Sequence, residues 1–323
     1  MAGFGALGFR VLIALVHNAC FLGRISIHYD ASLHTPMGPW GPAVALVPIA
    51  GAVAVIFLVK NFAPEAKGHG VPEVMDAIYY GRGVIRPVVA AIKSFASAIS
   101  IGTGGSVGRE GPIVQISAAF ASWLAGVSRV SRWQRATLVA AGGGAGIAAT
   151  FNTPLGGVLF AVEVLMHEVS VRTLVPVALA TATATYVGRQ LFGNAPAFVV
   201  PAMNPSASAV VFPAYLVLGA LMALASVTFI RALYGAEDLF DTKIPRRDYL
   251  RHVAGMLGVG VVLEAMMVFA GHYYVEGVGY ATVVDVLRGA LTGGWMLVLL
   301  AALKLLTTSL TLGSGGSGGV FSP

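Results

Sequence analysis

Long apolar runs separated by short polar or glycine-rich connections fill the chain. They fall near residues 3–23, 42–62, 87–101, 110–125, 134–149, 153–166, 171–192, 213–234, 250–270, 281–291 and 295–312. A backbone surrounded by lipid must satisfy its own hydrogen bonds, so these runs are predicted to be helices. Several are too short to cross a hydrocarbon core of roughly 30 Å, which takes about 20 residues. Short, glycine-interrupted segments predict helices that stop inside the membrane, where protein or a water-filled cavity covers the exposed backbone.

The pattern also occurs twice. Residues 90–112, AAIKSFASAISIGTGGSVGREGP, align with residues 301–323, AALKLLTTSLTLGSGGSGGVFSP, at an offset of 211, so that Lys93 meets Lys304, and six of the last eleven pairs are identical. Upstream, at an offset of 209, GHGVPEVMD (Gly68 to Asp76) aligns with GVGYATVVD (Gly277 to Asp285). Two copies of a glycine-broken apolar unit predict a transporter built from internal repeats, with its binding site where the broken helix ends meet. The expected division is a first repeat over 1–192, a proline-dotted connection over 193–212 and an incomplete second repeat over 213–323. The second copy stops at Pro323, where the first runs on into an apolar helix, and Met1 stands close to an apolar run, so a fragment of a longer protein is expected.

Composition agrees. With 57% hydrophobic and 11% charged residues, and a mean hydropathy of +0.81, the chain has too little polar surface to coat a soluble globule. The net charge of +6 is spread over short connections (Arg82 and Arg86; Arg129, Arg132 and Arg135; Arg246 and Arg247), the distribution of loop anchors rather than of a nucleic-acid surface. The densest basic stretch, KIPRRDYLR (Lys243 to Arg251), marks the expected cytoplasmic side. Cys20 is alone, which excludes an intrachain disulfide. The seven histidines show no metal-ligand spacing, and no cofactor is expected. Trp40, Trp123, Trp133 and Trp295 are read as interfacial anchors.

The chemistry concentrates after Lys93. Gly102, Gly104, Gly105 and Gly108 precede Arg109, Glu110, Gly111 and Pro112, after which IVQISAAFASWLAG reads as a helix. Proline suits the first turn, and the glycines let several free N–H groups point at one spot. Such a helix start attracts an anion with partial charge only, so the ion can leave again. Gly318 to Pro323 offer an equivalent start in the second copy. A phosphate loop would need Gly-Lys-Ser/Thr, which is absent. Close helix packing is the plainer use of the glycines. Glu110 is the informative difference between copies, because Phe321 is its counterpart. A carboxylate at a helix start occupies the place a transported anion would take, and protonation would release it; the plainer reading is a capping carboxylate at a membrane surface.

GREGP (Gly108 to Pro112), GHGVPE (Gly68 to Glu73) and GGVFSP (Gly318 to Pro323), together with GIAATFNTPLGGVLFAVEVL (Gly146 to Leu165), resemble in order and spacing the signature segments of the CLC family of chloride channels and chloride/proton antiporters. The resemblance implies the CLC fold: an all-α polytopic membrane protein with two inverted-topology repeats and tilted, discontinuous helices. It makes Glu110 the gating glutamate. Val320 and Phe321 would supply backbone N–H groups to the anion site, with Gly108, Arg109 and Gly111 on its approach. His69, beside Gly70, stands where most relatives place a serine, and its imidazole could donate an N–H or turn to the vestibule. The inner proton-transfer glutamate is replaced by Val164; Glu163, His167 or Glu168 could substitute, while Glu163 could equally pair with Lys93. Lys93 is read as lending positive potential to the anion path, and Ser106 and Ser317 as cap or turn residues.

The resemblance further implies a homodimer in a bacterial plasma membrane, with chloride, and in exchangers protons, as the transported species. A voltage-gated-type chloride channel is the first reading, a chloride/proton antiporter the second, and a carrier of another substrate a remote third.

Overall fold

A computed structural model describes residues 2–195, 200 and 211–323. These form twelve α-helices and no strand. In chain order they are α1 (Ala2–Leu22), α2 (Val47–Phe62), α3 (Val71–Tyr79), α4 (Pro87–Gly102), α5 (Glu110–Val127), α6 (Arg132–Phe151), α7 (Pro154–Leu159), α8 (Val171–Phe192), α9 (Val211–Lys243), α10 (Asp248–Ala270), α11 (Tyr280–Leu287) and α12 (Gly294–Gly313). Short 3₁₀ turns precede α2 and α3, and a π-helical stretch, Phe160–Met166, follows α7.

Local chemistry sets many of the ends. Pro72, Pro87 and Pro154 lie in first turns, where no N–H partner is lost. Ser131 with Gln134, and Ser170 with Thr173, form reciprocal capping boxes at α6 and α8. Two helices depart from the expected lengths. α9 continues past Tyr234 through GAEDLFDTK, whose Ala, Glu and Leu favour helix, and stops just before Pro245. α11 ends at Leu287 because Gly289 turns the chain at φ +73°. The expected connection over 193–212 lies mostly outside the described residues.

Among the described residues, five segments are long and apolar enough to cross a membrane: α1, Gly41–Phe62, α9, α10 and α12. α4 and Pro154–Met166 are apolar but shorter, as expected of helices that end within the bilayer. The four tryptophans are exposed, as interfacial anchors must be. At the centre lies α5, whose residues 110–119 are all buried, packed by α1, α3, α4 and α6.

The repeats meet across a local two-fold axis. Gly108 donates its N–H to the Gly319 carbonyl at 2.8 Å, and Gly319 donates back to Gly108 at 2.6 Å. These are repeat mates in an antiparallel bridge, so each segment meets its own image. The pattern extends outward. Ser106 contacts Thr308 at 3.1 Å, and their mates Ser317 and Ser97 make the reciprocal contact at 2.9 Å. Gly104 and its mate Gly315 both have positive φ, +91° and +121°, a backbone shape that L side chains resist. Ser106 and Ser317 therefore do more than cap: they tie each glycine loop to the other repeat's long helix.

Candidate functional site

The seam carries the buried carboxylate. Glu110, the first residue of α5, is 2% exposed. Its Oε1 accepts hydrogen bonds from the Tyr280 hydroxyl at 3.1 Å and from the Ser322 hydroxyl, and those two hydroxyls are themselves 3.1 Å apart. Oε2 is buried without a hydrogen-bond partner and rests against Gly108 and Gly319. A Cβ on Gly108 would collide with this oxygen, and one on Gly111 would collide with the His69 carbonyl. Both glycines are thus required by close approach, one to a side chain and the other to backbone.

Two cavities share Phe151 and Tyr280 in their walls, and one of them is lined by Glu110. One holds Arg109 with Arg10 and Arg189; the other contains Glu110 itself, with Phe160, Phe321 and Ser322. The guanidinium of Arg109 lies 5.0 Å from the Tyr280 ring centre and 6.0 Å from that of Phe151, cation–π contacts that fix the partition. The Glu110 carboxylate thus has two hydroxyl donors and one oxygen without a partner at the wall of the aromatic cavity.

The loop that presents Tyr280 is anchored at both ends. Glu276 meets His17 at 2.8 Å, and Asp285 meets His34 at 2.7 Å. Lys304 ties it from beneath, donating to the carbonyls of Val275 at 3.1 Å and Gly277 at 2.7 Å. Lys93 does the same for the loop before α3, donating to Ala66 at 3.1 Å and Gly68 at 2.7 Å, which are the repeat counterparts of Val275 and Gly277. A Lys93–Glu163 ion pair is not formed. Lys93 is wholly buried on carbonyls, whereas Glu163 is exposed on the π-helical stretch.

The other predicted residues divide. Gly108, Arg109, Glu110, Gly111, Val320 and Phe321 gather at the seam. The N–H groups of Val320 and Phe321 meet no acceptor among the described residues. Residues 320 and 321 form a bend directly after the Gly108–Gly319 bridge. His69 and Gly70 stand at the start of α3, and the His69 Nδ1 is buried without a partner. Val164 packs beside the core of α3, α5 and α6, and His167 and Glu168 are exposed, with His167 Nδ1 3.1 Å from the Tyr79 hydroxyl.

Sequence reasoning misses Tyr280 and Ser322. The offset of 209 sets Tyr280 against Val71, and the offset of 211 sets Ser322 against Gly111. In both places a hydroxyl replaces an inert residue beside a glycine or proline, the same kind of difference between copies that singles out Glu110.

These features define an integral membrane protein of two inverted repeats with a carboxylate buried at the seam between them. Residues 51–323 match the family model described as voltage gated chloride channel, and the chain belongs to that family. The H(+)/Cl(-) exchange transporter ClcA of Vibrio parahaemolyticus serotype O3:K6 is 31% identical over 343 aligned positions, covering 99% of this chain and 71% of that protein. ClcA of Vibrio cholerae serotype O1 (strain ATCC 39541) is 32% identical over 274 positions, and the match spans 83% of this chain and 57% of the relative. The crystal structure of a slow cyanobacterial Cl-/H+ antiporter shares the fold with a TM-score of 0.81, over 100% of this chain and 73% of that one, at 21% identity.

Proposed function

We propose that this chain forms most of the membrane domain of a chloride/proton exchanger. Its repeats divide at residues 1–192 and 213–323, joined through 193–212, and Glu110 is the protonatable gate. The carrying observation is the Glu110 carboxylate, buried where the two repeats meet and held by Tyr280 and Ser322. In this reading the carboxylate occupies the anion's place, and a proton on Glu110 weakens its hold so that chloride can replace it. Arg109 and Gly108 line the outer approach, and the free N–H groups of Val320 and Phe321 receive the ion. His69 and Gly70 border it on the inner side. Lys93 and Lys304 shape the loops flanking the site and lend it positive potential.

The sequence alone ranks a channel first. The exchange transporters among the relatives favour the antiporter instead. One residue keeps the channel as a second reading: Val164 stands at the inner proton-transfer position and cannot relay a proton. An exchanger here would carry its inner proton past Val164 by Glu163, His167 or Glu168, which the helix after α7 brings to one region. A homodimer in the bacterial plasma membrane is part of the same proposal.

The test is chloride efflux from liposomes across a range of pH, for the native protein and for Glu110→Gln. The proposal predicts efflux that rises on acidification in the native protein and is flat with pH in the variant. Efflux with the same pH profile in both would remove Glu110 from the gate.

A further inference from the structure

Away from the seam, beside the basic connection that ends α9 and begins α10, a separate cavity is lined by Lys60, Lys67, Arg251, Asp248 and Ser314 over the apolar side chains of Ile56 and Val59. Three cations face a single carboxylate. Asp248 is taken by Lys60 at 2.8 Å, and Lys67 makes no ion pair among the described residues. Arg251 is 7% exposed, and only its Nη1 has an acceptor, the carboxylate of Asp241. Its Nε and Nη2 are buried with no partner.

A guanidinium buried with one whole edge unsatisfied is costly, because charged donors lose their water and gain nothing in exchange. The free edge is also the one that suits a bidentate oxyanion. Arg86 shows the geometry in this same protein, its Nε and Nη2 reaching the two oxygens of Glu65 at 2.9 and 2.7 Å. An Nε/Nη2 edge flanked by two lysines matches the several oxygens and the charge of a phosphate better than it matches a spherical halide.

We propose that this cavity binds a phosphate group, held by the free edge of Arg251 with Lys67 and Lys60 beside it. The apolar floor beneath the cations suits an anionic phospholipid whose headgroup supplies the phosphate, and a soluble phosphate would offer the same oxygens. Ser314 and Gly315 connect the cavity to the seam. They lead from α12 into the loop where the Gly316 carbonyl accepts from Gly68 at 3.0 Å and Gly319 pairs with Gly108. An occupant would therefore brace the loop that positions Gly319. The proposal does not depend on what the seam transports.

The experiment is thermal unfolding of the purified protein in detergent at fixed ionic strength. Phosphatidic acid in mixed micelles, inorganic phosphate, and diacylglycerol as the phosphate-free lipid are titrated in turn, with native mass spectrometry to count retained lipid. Phosphatidic acid is expected to raise the unfolding temperature saturably and to stay bound, whereas diacylglycerol does neither. The apparent affinity should fall about tenfold or more in Lys67→Gln and in Arg251→Lys, which keeps the charge but loses the fork. Lys67 is exposed and unpaired, so its variant reports binding even if the Arg251 variant unfolds. Stabilisation by inorganic phosphate alone would support the site with a soluble source. Equal behaviour of phosphatidic acid and diacylglycerol together with no effect of phosphate, or affinities unchanged in Lys67→Gln, would overturn the proposal.

Discussion

At the residue scale, the site is governed by what a few small side chains leave room for. Gly108→Ala would place its Cβ on the carboxylate oxygen of Glu110, the far end of a flexible side chain that can move aside. Gly111→Ala would strike the carbonyl of His69, which is backbone and cannot. The first variant is expected to fold with little loss of stability but to expel the carboxylate and leak chloride. The second should fail to fold or lose several kcal/mol, about the range of overpacked cores. Expression, thermal unfolding and chloride efflux separate the two, and a normally folded, tightly gated Gly108→Ala would contradict the placement of Glu110. Tyr280→Phe deletes a hydrogen bond to a charged group, a loss of roughly 1.5–3 kcal/mol, so the gate should open about ten- to a hundredfold more readily. Efflux no faster than in the native protein would show that Ser322 alone holds the carboxylate. Glu110 and its glycines are legible in the sequence because a charge stands out at an apolar helix start. Tyr280 and Ser322 are not, because a hydroxyl in a turn has many ordinary uses and only the fold brings these two together.

At the element scale, the lysine pair Lys93 and Lys304, one buried and one half-buried, tests the repeat symmetry through its imperfections. The carbonyls that Lys93 holds each have a second donor: Ser317 reaches Ala66 at 2.7 Å, and Gly318 reaches Gly68 at 3.1 Å. The carbonyls of Val275 and Gly277, held by Lys304, have no second donor among the described residues. Lys93→Met should therefore cost little, and Lys304→Met about 2–6 kcal/mol, from two orphaned carbonyls at roughly 1–3 kcal/mol each. Thermal unfolding in detergent reads the order, and a larger loss at Lys93 would contradict it. Sequence periodicity cannot choose carbonyls over Glu163 as the partner of Lys93, since both choices satisfy a buried cation.

The turn before α3 adds a pH dependence. The Arg86 fork holds the Glu65 carboxyl below the usual carboxylate range. Its folded value is depressed, so the stabilisation is complete above the ordinary carboxylate pKa and is lost as pH falls through the lowered one. Hydrogen exchange at Ala66 and Lys67, corrected for intrinsic rates, should accelerate in that acid window and lose the dependence in Glu65→Gln. Most helices are readable from apolar runs, but α3 is not, because its nine residues include Glu73 and Asp76 and make no long apolar run. The lengths of α9 and α11 are not, because a charged but helix-favouring tail and a single turning glycine decide them.

At the scale of the whole molecule, duplication explains how two short glycine loops come to pair at the seam. Each loop finds its partner in its own image, so Gly108 and Gly319, and the pairs Ser106–Thr308 and Ser317–Ser97, come from one inherited set of contacts used twice. Function then enters where the copies differ, with Glu110 against Phe321, Tyr280 against Val71 and Ser322 against Gly111. The two-fold arrangement is legible in the repeat offset, since equal spacing of the glycine landmarks implies two equivalent loops.

The central claim is that Glu110 couples a proton to chloride at this seam. It is tested most directly in liposomes holding the protein, by imposing a chloride gradient and recording proton movement against its own gradient together with chloride flux, for the native protein and for Glu110→Gln. The account predicts uphill proton movement that stops in the variant while chloride flux persists. Chloride flux with no proton movement in the native protein would contradict exchange and make Val164 the reason for a channel.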